Sequence, residues 1–314
     1  MEYQLETYAL LKFVDESVLA LNPHVTDAEF ELIPISILEK EFSGLFGLPR
    51  LFHSQRSVRF PNGDQCSQEF YTLLQMSPYF EMEWIGRGYA VVLRSKRSFE
   101  LKPDAYGKLP TDLKEFTPFQ ENVRKIVRAM RLSGGGDVES SVIFQVDRSL
   151  AFVFMTSFGA KTQRGGKCFD PSDKVVTLFS RLYKGAFSDD WDFSLALENF
   201  ESAITHYDLR VSFILYITSL ECIFNQGRDQ IAHTVSRHAA LILAADAAEF
   251  DLKYLSIKKL YHKRSGLVHG SKTQVTKEDL ESTREIVRKC ILHCIECGLD
   301  KAALFLDLNR LGIT

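Results

Sequence analysis

The spacing of apolar residues differs between the first and second parts of this 314-residue chain. In the first part, short apolar runs such as Phe30–Ile35, Phe80–Ile85 and Val142–Val146 are separated by turn sequences containing Gly, Pro and Asn, a pattern typical of strands. Apolar residues at helical spacing also occur there, over Leu5–Leu21 and Phe119–Leu132. We therefore predict a mixed α+β domain over residues 1–170.

Only helical spacing remains after a polar segment that contains Gly165, Gly166 and Pro171, and this change predicts a domain boundary near residue 170. The first helix after the boundary, over Val175–Tyr183, is expected to pack back on the first domain. Further helices are predicted over residues 191–206, 209–225, 231–245, 252–264, 276–297 and 301–311. The helix that begins at Thr276 opens with a capping-box signature, Thr276-Lys277-Glu278-Asp279. Helices of this length with short links indicate an all-α antiparallel bundle over residues 171–314.

Composition and charge are those of an ordinary globular protein, since 45% of the residues are apolar, 25% are charged and the net charge is −3. This balance excludes a bulk binder of polyanions, so any contact with nucleic acid must come from a local basic patch. The most apolar run, Leu209–Leu220, is too short to span a membrane, and the acidic N-terminus lacks the layout of a signal peptide. Because the six cysteines show no disulfide spacing, we expect a cytoplasmic protein without a membrane contact.

The richest candidate chemistry lies near the end of the predicted helix that begins at residue 252. Between Lys253 and Lys272 there are six Lys or Arg, two His and no Asp or Glu, and Arg264 precedes His269 by five positions. An Arg can hold an anionic phosphate by a forked contact, and a His can move a proton near neutral pH. The pair in its local positive field therefore indicates a reaction on a phosphodiester.

The spacing of this pair sets a geometric condition. Residues five apart on a regular helix differ by about 140° around its axis, so Arg264 and His269 would not share a face. Gly266 weakens the helix between them and Gly270 can end it, so we expect a frayed or kinked helix end that brings both side chains to one rim. The side chains expected to contact phosphates around that rim are Lys258, Lys259, Lys263 and Lys272.

Two further groups of residues have a structural interpretation. Glu221 is the only charge inside an almost wholly apolar helix, and because a buried carboxylate needs a partner we predict a buried pair with Arg237. Cys290, Cys294 and Cys297 look like a metal cluster, but they continue an apolar helical stripe, which favours small core residues and no metal site.

The helical part resembles the Apea-like branch of the HEPN domains. The resemblance rests on the run Leu209–Phe224 with its Leu220-Glu221, on Ser236–Leu243, and above all on Leu260–Gly270. In the last of these, an Arg and a His separated by four residues lie between the third and fourth helices of a bundle, and Gly follows the His. The resemblance implies a HEPN-type bundle for the last part of the chain.

Many HEPN proteins look like metal-independent endoribonucleases of toxin, antiviral-defence, abortive-infection or RNA-processing systems. The resemblance implies that Arg264 and His269 are the catalytic pair and that Ser265 is the polar residue after the Arg, where many catalytic members have Asn, Asp or His. It also implies RNA as substrate, no cofactor, a homodimer formed through the bundle, and an antitoxin or another defence protein as a candidate partner.

The mechanism that this resemblance implies begins with the ribose. His269 would take the proton from the 2′-hydroxyl or protonate the leaving 5′-oxygen, and Arg264 would stabilise the charge on the phosphate oxygens. RNA would be cut to a 2′,3′-cyclic phosphate and a 5′-hydroxyl, and DNA would be spared because it lacks the nucleophile.

Three alternatives stay open. On spacing alone, Arg264 and His269 are explained as a helix end, where basic side chains bind the last carbonyls. A second alternative is a non-catalytic HEPN module that binds RNA or nucleotide. A third is a purely structural dimerisation bundle within a larger defence complex.

Overall fold

The computed structural model describes residues 2–25, 30–34, 57–59, 65–67, 91–100, 116–147, 152–157, 167–185, 191–225, 227, 230–298 and 300–311. The chain divides into two compact units, the first over residues 1–160 and 165–185 and the second over residues 161–164 and 186–314. The predicted boundary near residue 170 precedes this division, because the helix Asp173–Lys184 belongs to the first unit.

The first unit contains a five-stranded sheet with the order β2-β5-β1-β6-β7, in which every neighbouring pair is antiparallel. A separate two-stranded sheet joins β3 and β4. The predicted strand over residues 80–85 lies outside the described residues. The strands are β1 (Glu2–Lys12), β2 (Phe30–Pro34), β3 (Ser57–Arg59), β4 (Gln65–Ser67), β5 (Val91–Glu100), β6 (Glu139–Asp147) and β7 (Phe152–Ser157).

The predicted opening helix over Leu5–Leu21 is wrong, because this segment forms β1 and a short 3-10 helix, Glu16–Leu21. β1 is the central strand of the sheet, and Tyr8, Leu10 and Leu11 are all buried although successive side chains point to opposite faces. A strand buried on both faces reads as a continuous apolar run, which periodicity alone does not separate from a helix.

The α-helices among the described residues of the first unit are α1 (Asn22–Val25), α2 (Phe116–Gly134) and α3 (Asp173–Lys184). α2 ends at Gly134, the first of three consecutive glycines, and Gly135 has a φ of +65°. The ring of Phe169 occupies the space where a side chain on Gly134 would lie. α3 packs on α2, with Lys125 above the ring of Tyr183, so the prediction that this helix packs back on the first domain is confirmed.

The described residues of the second unit contain helices and no strands, which confirms the predicted helical C-terminal part. α5 is the most buried of them and contacts α4, α6, α7 and α8. Ser219 on α5 donates a hydrogen bond of 2.6 Å to the carbonyl of Ala196 and so fixes α4 against it. The helices are α4 (Ser194–Thr205), α5 (Leu209–Phe224), α6 (Ile231–Leu243), α7 (Ala247–Val268), α8 (Lys277–Cys297) and α9 (Lys301–Leu311).

Side-chain caps set the starts of the three helices that surround the candidate chemistry. Asp208 accepts from the amide of Arg210 at the start of α5, and Asp246 accepts from the amide of Glu249 at the start of α7. At α8 the predicted capping box forms, since Thr276 and Asp279 bind each other's backbone amides.

Candidate functional site

The end of α7 differs from the expected kink. α7 continues through Gly266 as far as Val268, so the prediction that Gly266 bends or frays the helix is wrong. Gly270 ends the helix as predicted, with a φ of +75° that favours glycine. The amide of Ser271 donates to the carbonyl of Gly266 at 2.8 Å, and that of Gly270 donates to Leu267 at 3.2 Å. These two bonds form a Schellman motif, a regular way to close a helix.

Gly266 has a different function, which is to make room for the segment that follows the helix. A methyl group on it would lie 2.6 Å from the hydroxyl oxygen of Ser271 and would also overlap the hydroxyl of Thr273. Those two hydroxyls are hydrogen-bonded to each other at 2.6 Å. The close approach therefore fixes the path of the chain directly after His269.

Arg264 is held by two residues, Glu221 and Tyr261. Its Nη2 is 3.1 Å from Oε2 of Glu221 on α5, and its guanidinium lies 5.9 Å from the centre of the Tyr261 ring. The Tyr261 hydroxyl donates a 2.5 Å hydrogen bond to the other oxygen of Glu221. Burial, followed by this bond to Glu221, raises the pKa of Tyr261 to about 12, so it remains a donor at neutral pH.

The prediction that Glu221 pairs with Arg237 is therefore wrong. Arg237 lies on α6, is half-buried and has no hydrogen bond or ion pair with another described residue. Tyr261 and Arg264 are three residues apart and share the face of α7 that meets α5, so they reach Glu221 together. This spacing was the signal in the sequence that could have identified the cluster.

The guanidinium of Arg264 is only partly used. Its side chain is 25% exposed, and its Nε is buried without a hydrogen-bond partner among the described residues. An unpaired buried donor is unfavourable by about 1–3 kcal/mol, and an anionic oxygen close to the guanidinium would relieve part of this.

His269 is the C-cap residue of α7, and its side chain is exposed. Its amide donates to the carbonyl of Ser265, while its imidazole makes no hydrogen bond, ion pair or ring contact with any residue in the described ranges. Arg264 and His269 therefore lie at the same helix end without touching each other.

The four predicted phosphate-binding lysines have different surroundings. Lys263 contacts both carboxylate oxygens of Asp279 at 2.6 Å, so its charge is already paired. Burial alone would raise the pKa of Asp279, but hydrogen bonds from Lys263 and Thr276 outweigh it and lower that pKa. Lys258 contacts the hydroxyl of Tyr254. Lys259 and Lys272 are exposed and have no partner within the part of the chain that the structure describes.

The cysteine stripe of α8 is partly as predicted. Cys290 and Cys294 are fully buried, and burial raises the pKa of each thiol, as expected for core residues. Cys297 is exposed, with its sulfur 3.8 Å from Nε2 of His293, so its assignment to the core is wrong. No group of three or more His, Cys, Asp or Glu suited to a metal ion occurs among the described residues.

Comparisons with known proteins add no relative to this picture. No protein-family model, curated protein or solved structure matches the chain. Within the described ranges, no helix is long and apolar enough to cross a membrane. The residues at the end of α7 and the contacts that hold them are therefore what indicates a function.

Proposed function

We propose that this chain is a metal-independent endoribonuclease of the HEPN type, in which Arg264 and His269 act on an RNA phosphodiester. The observation that carries the proposal is how the guanidinium of Arg264 is held and which of its donors stays unpaired. Glu221 and Tyr261 hold its guanidinium while Nε stays unpaired, and the exposed imidazole of His269 lies at the end of the same helix. A fixed cation and a free acid–base group are the side chains that phosphodiester cleavage uses, and this chemistry, rather than a contact between the two residues, supports the proposal.

Arg264 would bind the non-bridging oxygens of the phosphate. Its contacts with Glu221 and the Tyr261 ring restrict its side chain before RNA binds, so little ordering is left for the reaction itself. As the 2′-oxygen attacks phosphorus, negative charge builds on those oxygens, and the fixed guanidinium stabilises it.

His269 would move the proton. As the general base, the imidazole takes the proton of the 2′-hydroxyl, and the 2′-oxygen forms a bond to phosphorus. The bond from phosphorus to the 5′-oxygen breaks, and the leaving oxygen receives a proton from a second acid. The products are a 2′,3′-cyclic phosphate and a 5′-hydroxyl. Ser265 follows Arg264, and its carbonyl accepts a hydrogen bond from the amide of His269. This helical bond keeps the backbone of His269 about one turn from that of Arg264.

A homodimer would supply the second acid, because each chain carries one such Arg and one such His. α7 exposes apolar side chains that a second copy would cover: Val268, beside His269, and Leu252 and Leu255, nearer the start of the helix. An antitoxin or another defence protein is a further candidate partner in the same proposal.

The test is cleavage of a labelled RNA pool in EDTA by wild type, Arg264→Ala, His269→Ala and the control His262→Ala. His262 is an exposed histidine on the same helix, so its loss changes the histidine content of α7 without removing the proposed base. We expect wild type and His262→Ala to leave 2′,3′-cyclic ends and the other two variants to be inactive. Equal cleavage by wild type and His269→Ala would contradict the proposal.

A non-catalytic module that binds RNA or a nucleotide is the second candidate. It is favoured by one observation, that Arg264 is in an ion pair and makes no contact with the imidazole of His269. In that case His269→Ala would retain the RNA affinity of wild type, and neither protein would cut RNA in the assay above.

A further inference from the structure

A second polar cluster lies between α6 and α7. Nδ1 of His233 is 2.9 Å from the hydroxyl of Tyr254, and Nζ of Lys258 donates to the same hydroxyl at 3.3 Å. The ammonium group of Lys258 also lies 5.3 Å from the centre of the Tyr254 ring. Tyr254 therefore contacts Lys258 on its own helix, α7, and His233 on α6.

Arg237 adds a further cation one turn along α6 from His233. Burial first, and then the nearby charges of Arg237 and His233, lower the pKa of His238 to about 4. Arg237 therefore contributes positive potential to this side of α6.

The cluster differs from its neighbours in having no carboxylate. Lys253, Lys263 and Arg264 are each in an ion pair with an acidic side chain. By contrast, His233, Arg237 and Lys258 have no ion pair with any acidic side chain in the described ranges, although Lys258 and Arg237 are both half-buried. Partly buried cations without an anion are costly, so this surface favours an anionic ligand.

The polar groups of the cluster indicate the class of that ligand. Phe250 lies nearly parallel to Tyr254 with an interplanar angle of 13°, His233 meets the Tyr254 ring edge-on, and Nζ of Lys258 lies at its hydroxyl end. A phosphate, which needs only N–H and O–H donors, fits these side chains.

We infer that His233, Arg237, Tyr254 and Lys258 bind a second backbone phosphate of the RNA, distinct from the one at Arg264. Lys258 precedes Arg264 by six residues on α7, about 9 Å along the helix axis. The head group of Lys258 is held at Tyr254 and that of Arg264 at Tyr261, so the two side chains face different phosphates. The assignment of the ligand to RNA rests on the proposed function. The site acts as an anchor that positions the strand and takes no part in the chemistry.

The test measures binding of a fluorescent single-stranded RNA across a range of salt concentrations, in full-length protein carrying His269→Ala to prevent cleavage. Lys258→Gln and Arg237→Gln are compared with Lys289→Gln, which changes the net charge equally but removes a lysine on α8 that is paired with Glu285. We expect each cluster variant to lose affinity roughly five-fold and to lower the slope of log K against log salt by about 0.7, with Lys289→Gln unchanged. A single-stranded DNA of the same sequence should show the same losses, because the site contacts phosphate.

Thermal melting of each variant separates loss of the site from loss of the fold, and Tyr254→Phe, which keeps the ring, gives a milder test of the hydroxyl. If the cluster variants bind RNA as Lys289→Gln does, the inference is wrong even if wild type cleaves RNA. If they lose affinity while wild type cleaves nothing, the anchor site stands and the proposed ribonuclease activity fails.

Discussion

Arg264 and Glu221 form an ion pair across the interface of α7 and α5, with a distance of 3.1 Å between Nη2 and Oε2. The side chains are 25% and 17% exposed, so water screens the pair only in part. The carboxylate also receives the Tyr261 hydroxyl, which fixes its orientation. The pair anchors Arg264, the residue proposed to bind phosphate, against α5, the most buried helix of the unit.

Replacing Glu221 by Gln should lower kcat on RNA roughly 10- to 100-fold with little change in KM. The reason is that Arg264 would no longer be held in the position that stabilises the transition state, and a small misplacement there is expensive. The measurement is steady-state cleavage of one defined RNA by wild type and Glu221→Gln.

The control for this prediction is Glu285→Gln, which removes a carboxylate from a pair with Arg288 on α8. Tyr261→Phe should give a smaller decrease, since it removes the hydroxyl and keeps the ring against Arg264. A Glu221→Gln enzyme with wild-type kcat would show that Arg264 needs no positioning by α5.

Gly266→Ala should lower cleavage while leaving stability nearly unchanged. Alanine favours a helix over glycine by about 1 kcal/mol, which offsets much of the clash with Ser271 and Thr273. The displaced segment, however, directly follows His269. Cleavage rates and urea denaturation measure the two effects, and Gly227→Ala, where the structure has open space, is the matched control. Loss of stability without loss of rate would contradict the positional role.

Helix spacing was enough to predict the helices of the second unit, because their apolar stripes and caps are local features. The capping box at Thr276 and Asp279 is the clearest case, since both partners lie within one turn. β1 was missed because burial on both faces removes the alternation that marks a strand.

The candidate site was predicted in its residues but not in its contacts. Arg264 and His269 are local to one helix end, whereas the partner of Glu221 depends on how α7 lies against α5, which spacing does not encode. Likewise, Asp279 was identified as a cap, and its second contact, with Lys263 of another helix, was not foreseen.

Asp279→Ala should destabilise the protein by about 1–2 kcal/mol, because one carboxylate both completes the cap of α8 and pairs with Lys263. Thr276→Ala should cost about 1 kcal/mol, since it removes the cap and keeps the ion pair. Urea denaturation measures both. Lys263→Gln should weaken stability without lowering RNA affinity, in contrast to Lys258→Gln. Equal effects of these two lysine variants on RNA binding would show that the pair with Asp279 opens for RNA.

The stability of the protein should fall as the pH is lowered from about 6.5 towards 4, because of His238. Its side chain is 5% exposed and lies between the rings of Phe224 and Phe305, and its Nδ1 has no partner among the described residues. Burial, with Arg237 and His233, lowers its pKa from 6.5 to about 4. Between these values the unfolded chain binds the proton and the folded chain does not, so each step down in pH favours unfolding.

The contribution of His238 over this range is roughly 3 kcal/mol. The measurement is the free energy of unfolding in urea at a series of pH values, for wild type, His238→Leu and His262→Ala. The difference between wild type and His238→Leu should change steadily between pH 6.5 and 4, as given by the two pKa values of this group. His262→Ala should follow wild type, because His262 is exposed. A constant difference between wild type and His238→Leu across the range would mean that His238 is already charged in the folded protein at low pH, with an anion or water beside it.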